Sequence, residues 1–251
     1  MAQGADSETT RRFAVIGHKG RMGRAIAAAI EEAGHEFCVG VDQGGDPEPL
    51  LGQCDVAVDF SAPGGLKASL AAAETAGIPI LIGTTGLDET HFTLIAEAAK
   101  TIPVLQTGNT SLGITLIAHL VREAAARLGP EWDIEVLEMH HRMKVDAPSG
   151  TAKLLGEAAA EARGIALADN TESGRHGHTG ERGRGTIGFA TLRGGTVAGE
   201  HSVIFAGPQE RITLAHSAED RAIFARGAVK GALWLTDQGP GRYRMEDVLG
   251  L

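Results

Sequence analysis

Aromatic side chains are scarce in this sequence. One tyrosine, two tryptophans and seven phenylalanines make up 4% of 251 residues. Alanine and 35 glycines stand in their place, a mixture that suits helices packed on sheets through tight loops. Cysteine is nearly absent. Cys38 and Cys54 are isolated and lack metal-ligand spacing, which excludes a disulfide framework and fits buried thiols in a reducing compartment. There is no excess of positive charge either: 23 Lys and Arg face 32 Asp and Glu, a net charge of −9. So acidic a chain is a poor nucleic-acid binder, because phosphate contacts need clustered Lys and Arg. No apolar stretch reaches the length of a membrane span. The first ten residues, MAQGADSETT, lack the basic start and apolar core of a secretory signal. We expect a soluble, cytoplasmic protein whose residues 1–10 are a disordered tail.

Hydrophobic content is ordinary at 43%, enough for one large domain or two modest ones. Residues 11–17 form a short apolar strand, 22–33 a helix, 37–42 a second strand and 55–60 a third. The third is nearly continuous in apolar residues, as in a parallel strand covered on both faces. Helices over 65–76 and 89–100 then alternate with strands over 78–82 and 103–106. This rhythm predicts an α/β fold, a Rossmann-like doubly wound parallel sheet. After a long helix over 112–128 the rhythm changes. A strand at 134–140 and a helix at 150–163 precede a loop rich in Gly, His and Arg from 170 to 185. Strand-like segments follow at 186–192, 200–205 and 211–216. We expect a second, α+β domain from residue 112, on an open mixed sheet, largely antiparallel. A last helix near 220–236 suits either domain.

Gly17-His18-Lys19-Gly20-Arg21-Met22-Gly23 lies between the first strand and the first helix. Glycines in a G-x-x-G-x-x-G turn let backbone amides approach a pyrophosphate at a helix N-terminus. A plain tight turn is the bland alternative, but Asp42 ends the second strand about 20 residues on, as the dinucleotide fingerprint requires. Asp42 suits a ribose hydroxyl and favours NADH; Lys19 and Arg21 suit the 2′-phosphate of NADPH. Both cofactors are expected, with a lean to NADH. Gly83-Thr84-Thr85-Gly86 ends the fourth strand, Thr107-Gly108-Asn109-Thr110-Ser111 the fifth, and Phe60-Ser61 the third. Strand C-ends of a parallel sheet line one edge, where ligands bind, so the polar residues of the fourth and fifth strand ends are expected around the nicotinamide and its ribose, with Phe60-Ser61 a secondary cofactor contact. Asn109, Thr110 or Ser111 also suits capping of the helix at 112.

The densest chemistry lies in Glu138-Met139-His140-His141-Arg142-Met143-Lys144-Val145-Asp146-Ala147-Pro148-Ser149-Gly150-Thr151. Histidine is the side chain suited to proton exchange near neutral pH, so His140 can donate a proton to a carbon or nitrogen that has just received hydride. Lys144 can polarise the substrate or supply a proton. Ser149 caps a helix whose Gly150 and Thr151 amides suit a carboxylate. A second carboxylate near His141 and Lys144 makes a small dianionic ring the expected substrate. Adjacent histidines are more often a polar strand end with one buried, hydrogen-bonded ring; Lys144 and the helix start shift the balance to function. A metal on His140, His141, His176 and His178 is the rival reading. No further ligand at matched spacing completes it, so no metal is expected. Residues 174–182 suit a solvated linker, a lid or a subunit contact. Arg142 has no assigned role.

His140-His141-Arg142-x-Lys144-x-Asp146-Ala147-Pro148-Ser149-Gly150-Thr151 resembles the signature of the 4-hydroxy-tetrahydrodipicolinate reductase (dihydrodipicolinate reductase) family. The resemblance extends to Gly17–Arg24, to Gly83–Gly86, and to 180–182 with 185–190, and so covers nearly the whole chain after residue 11. It implies NAD(P)H-dependent reduction of a cyclic dipicolinate intermediate in lysine and diaminopimelate biosynthesis, by a homotetramer. It implies His140 as proton donor, Lys144 as second catalytic group, and His141, Gly150 and Thr151 as substrate contacts. Gly17, His18, Lys19, Gly20, Arg21, Met22, Asp42, Gly83, Thr84, Thr85, Thr107, Gly108, Asn109 and Thr110 fall where that family contacts its cofactor. It returns the last helix to the first domain: 1–111 with 221–251 bind dinucleotide, and 112–220 bind substrate and form the tetramer. The chain departs from the pattern at Gln43, where NADPH users often carry Arg, at His18-Lys19, where small residues are common, and at Thr110, where an aromatic can occur. The alternatives are an oxidoreductase on another small dicarboxylic or amino acid, and a non-catalytic nucleotide sensor, against which intact His140 and Lys144 stand.

Overall fold

The computed structural model describes residues 9–251, so most of the expected tail, residues 1–8, lies outside the described residues. In chain order the first elements are β1 (Arg12–Ile16), α1 (Arg21–Glu32), β2 (Glu36–Val41), α2 (Glu48–Leu51), β3 (Val56–Asp59), α3 (Leu66–Ala76), β4 (Ile80–Ile82), α4 (Glu89–Ala98) and β5 (Pro103–Gln106). Next come α5 (Leu112–Leu128), β6 (Asp133–His140), α6 (Gly150–Ala162), β7 (Thr171–Ser173), β8 (Ile187–Arg193), β9 (Gly199–Gly207) and β10 (Glu210–Ala218). The chain ends with α7 (Ala222–Leu235), β11 (Gly241–Tyr243) and α8 (Met245–Leu249). It divides into two compact units: residues up to Ser111 with Ala222–Leu251, and Leu112–Arg221.

In the first unit six strands pair in the order β11-β5-β4-β3-β1-β2, all parallel. All four residues of β3 are buried, which explains its unbroken apolar run in a sheet covered on both faces. Phe13, Ile80, Leu81, Ile82 and Leu105 are fully buried, each contributing roughly 1.5–3 kcal/mol of hydrophobic stabilisation. The strand order reverses between β1 and β3. In open parallel sheets the crevice beyond the strand C-ends at such a reversal is where ligands bind. Local signals set the helix ends. Asp88 accepts from the Thr90 and His91 amides to cap α4, and Gly77, left-handed at φ 66°, stops α3.

The second unit pairs its strands in the order β10-β9-β6-β8-β7. The sheet is mixed, as expected, with two of its four strand pairings parallel rather than a largely antiparallel order. β6–β8 and β7–β8 are parallel, while β6–β9 and β9–β10 are antiparallel. Two crossovers are the reason: α6 between β6 and β7, and the 174–186 connection between β7 and β8, each bring the chain back in the same direction. Ala118, Val121, Leu155, Ala159, Ile134, Val136, Phe189 and Phe205 form this unit's core. Strand β6 alternates cleanly, with Ile134, Val136, Glu138 and His140 buried. Two apolar side chains are thus followed by two polar ones on the same inward face. No helix among the described residues is long and apolar enough to cross a membrane.

Candidate active site

The glycine turn of the first unit is built around close approach. Gly17 sits at φ +85°, and a Cβ there would stand 2.7 Å from the Phe60 carbonyl oxygen. A Cβ on Gly23 would overlap the Gly17 carbonyl and stand 2.5 Å from His18 Cα, so α1 packs directly on the turn that precedes it. Gly20 begins α1 without a side-chain cap, which leaves the helix start to the electropositive backbone. Asp42 accepts from the Lys19 amide at 3.2 Å, and His18 Nδ1 lies 2.6 Å from its carboxylate. The Lys19 and Arg21 side chains are exposed. Gly17, Gly20, Asp42, Gln43, Phe60 and Ser61 line a 680 Å³ cavity at the reversal of strand order. Its position, its glycine wall and its single acid fit an adenosine and pyrophosphate.

The other strand ends of this unit divide between surface and framework. Thr85 and Gly108 are exposed, while Gly83, Thr107 and Asn109 are half-buried. Buried Thr84 donates to Asp59, which also accepts from the Ser61 amide and hydroxyl. Asp59 thus ties the ends of β3 and β4 together, a role the sequence reading did not give it. Buried Thr110 donates its hydroxyl to the Phe224 carbonyl at 2.6 Å, and its own carbonyl lies against Gly227 of α7. The Asn109 side chain accepts from the Ser111 amide at 2.9 Å, just before α5.

In the second unit, β6 delivers His140 to a buried polar cluster. His140 Nδ1 lies 2.6 Å from Glu138 Oε2. Glu138 is 1% exposed and is saturated with donors. Arg193 forks onto both carboxylate oxygens at 2.8 and 2.9 Å, and the Ser149 amide and Thr191 hydroxyl donate to Oε1 at 3.1 and 3.3 Å. Burial alone would raise the Glu138 carboxyl's pKa; the bonds from Arg193, His140 and Ser149 outweigh it and hold the group below its usual range. The sheet explains the gathering. On β8, Thr191 stands opposite Glu138 and Arg193 opposite His140; on β9, His201 stands opposite Glu138.

His201 lies edge-on to His140, with ring centroids 5.0 Å apart, and its Nε2 meets the Ser149 hydroxyl at 3.1 Å. Burial first, then nearby His140, push its pKa down to about 4, so the ring is neutral at pH 7. Ser149 in turn accepts from the Ala152 amide and caps α6. Gly150 is exposed and Thr151 half-buried at that helix start, which suits a carboxylate. Lys144 pairs with Asp146 at 2.8 Å, and half-buried His141 is held by its amide on the Val197 carbonyl. Through Glu138 and Ser149 the structure ties His140 to the helix start at Gly150 and Thr151, while His141 and Lys144 follow His140 on the connecting loop. Arg142 is exposed, and His176 and His178 lie on an exposed loop. That loop is pinned at one end: Arg182 pairs with Asp133 and Glu135 and donates to the Ile134 and Thr186 carbonyls. Among the described residues no group of three His, Cys, Asp or Glu is placed to hold a metal.

Glu138, Arg193 and His201 were missed in the sequence. For Glu138 a signal existed. The alternation of β6 places an acid two positions before His140 on the same inward face. Arg193 and His201 carry no local signal, since only strand pairing brings them in.

Comparison with known proteins adds the following. The family model described as dihydrodipicolinate reductase, N-terminus, matches residues 11–110, and the one described as dihydrodipicolinate reductase, C-terminus, matches 113–249. The 4-hydroxy-tetrahydrodipicolinate reductase of Zymomonas mobilis subsp. mobilis is 51% identical, over 97% of this chain and 99% of that one. That of Afipia carboxidovorans is 49% identical, over 96% and 97%. Among solved structures, the dipicolinate-bound dihydrodipicolinate reductase from Paenisporosarcina sp. TG-14 shares the fold, with a TM-score of 0.74 at 23% identity, over 94% of this chain and 98% of that one.

Proposed function

The chain belongs to the dihydrodipicolinate reductase family, and on that premise we propose that it reduces 4-hydroxy-tetrahydrodipicolinate to tetrahydrodipicolinate with NADH or NADPH, the 4-hydroxyl leaving as water, in lysine and diaminopimelate biosynthesis. The observation that carries this reading is His140, buried on Glu138, whose other carboxylate oxygen accepts from the Ser149 amide at the N-terminus of α6. A proton donor tied to an anion-receptive helix start is what reduction of a small ring dicarboxylate requires.

The first unit holds the cofactor through Gly17–Met22, Asp42 and the strand-end residues of β4 and β5. When bound, the nicotinamide supplies the hydride. His140 delivers the balancing proton, and Lys144 holds positive charge near the substrate. His141 and the Gly150 and Thr151 amides hold the carboxylates. The second unit also carries the tetramer contacts, a role supported by β10, which ends its sheet and exposes Ile212; an unpaired strand edge invites pairing with another chain. The enzyme works in the cytoplasm.

The test is direct. The condensation product of aspartate semialdehyde and pyruvate is supplied with NADH or NADPH, and absorbance at the nicotinamide band is followed. Substrate-dependent consumption supports the reading, and none above background with either cofactor ends it.

A further inference from the structure

Glu138 engages His140 through Nδ1, and a glycine stands at the opposite ring edge. Gly199 of β9 lies there, and a Cβ on it would stand 3.1 Å from His140 Nε2. The donors around Glu138 are not interchangeable. Oε1 receives the Ser149 amide, the Thr191 hydroxyl and Arg193 Nη2, all obligate donors in this setting. Oε2 receives Arg193 Nη1 and faces His140 Nδ1. A carboxylate in that position can only accept, so Nδ1 must carry a hydrogen.

We propose that Glu138, locked by Arg193, is a positioning residue that fixes His140 as the Nδ1–H tautomer and so reserves Nε2 for the transferred proton. The inference rests on His140 being the proton donor. Nε2–H gives its proton to the substrate, and the ring returns to the neutral Nδ1–H form that Glu138 accepts from. Solvent then restores the Nε2 proton. His201, neutral and edge-on to the ring, and the Ser149 hydroxyl complete the surroundings. Lys144, on the following loop, pairs with Asp146.

The same geometry says what an isosteric change does. In Glu138→Gln the carbonyl oxygen belongs at the Oε1 position, where three donors converge. The amide nitrogen then takes the Oε2 position and donates to His140 Nδ1. Arg193 Nη1 keeps its bond to the Leu192 carbonyl at 2.6 Å. The ring is forced into the Nε2–H tautomer, which in its neutral form is no acid. An amide in place of the orienting carboxylate of a Ser-His-Asp triad has this effect and lowers kcat about 10⁴-fold.

Nitrogen-15 NMR of the ring nitrogens, above the pH at which the histidine is neutral, reads the tautomer without reference to activity. The wild-type protein is expected to show His140 as Nδ1–H and Glu138→Gln as Nε2–H. In Glu138→Gln kcat falls by about 10²- to 10⁴-fold, while substrate KM and NADH affinity change little. Glu138→Asp keeps a carboxylate and retains the Nδ1–H tautomer and more turnover than Glu138→Gln. A wild-type ring in the Nε2–H form, an unchanged tautomer in Glu138→Gln, or wild-type turnover in that variant overturns the proposal. His140→Gln separates the two readings. If it keeps full turnover, the proton-donor assignment itself fails; if it is inactive while Glu138→Gln is active, only the role of Glu138 fails.

Discussion

Glu138 and His140 stand two positions apart on β6, on its inward face, with Oε2 2.6 Å from Nδ1. A histidine held this way is oriented before substrate arrives. Replacing it by glutamine should lower turnover by roughly 10²-fold or more, the usual loss for a missing general acid, while NADH affinity stays near that of the wild type. Steady-state kinetics with cofactor titration checks this, and unchanged turnover would mean that the role belongs elsewhere.

The neighbouring histidine makes a separate prediction about stability. His201 titrates near about 6.5 in the unfolded chain and about 4 in the folded one. Between those values the unfolded state binds the extra proton. The stability from keeping the ring neutral is therefore complete above the unfolded value and drains away as pH falls toward about 4. The contribution is on the order of 3 kcal/mol. Burial depresses His216 in the same direction, so some slope remains without His201. Urea denaturation at pH 7.5 and 4.5 should show a smaller loss for His201→Gln than for the wild type. Equal losses would contradict the burial account.

The glycine turn can be tested by volume. Gly23→Ala puts a methyl into backbone, against the Gly17 carbonyl and His18 Cα, with no flexible side chain to yield. It should cost roughly 1–3 kcal/mol and weaken NADH binding. Gly52→Ala, with open space around its Cβ, should stay within about 0.5 kcal/mol of the wild type. Thermal denaturation and cofactor binding of both variants decide this. A Gly23→Ala protein with wild-type affinity would remove the turn from the cofactor site.

Lys19 presents its amide to Asp42 and its side chain to solvent. If the side chain meets a 2′-phosphate, Lys19→Ala raises the KM for NADPH more than that for NADH. Equal losses for the two cofactors would refute that contact and leave preference to Asp42 and Gln43.

Much of this was legible in the sequence, because its signals are local. The Gly17–Gly23 turn lies between a strand and a helix, and α5 begins and ends at the residues its periodicity indicates, 112 and 128. Ser149 caps α6 as its position suggests. What was missed depends on pairing. β7 is three polar residues, Thr-Glu-Ser, with no apolar alternation, and is a strand only because β8 runs beside it. β11 is a strand through β5 in the same way. The parallel direction of β6 and β8 follows from two successive crossovers, α6 into β7 and the 174–186 connection into β8, which a count of closely spaced strands does not reveal. Arg193 and His201, 53 and 61 residues beyond His140 in sequence, reach it only through that pairing.

The most direct measurement follows the hydrogen itself. NADH carrying deuterium at C4, on each face in turn, is incubated with the chain and the freshly formed condensation product, and the reduced product is analysed by mass spectrometry. One of the two labels should appear in tetrahydrodipicolinate, one deuterium per NADH consumed. Product without deuterium from either label, or no product at all, would contradict reduction by hydride transfer from the nicotinamide.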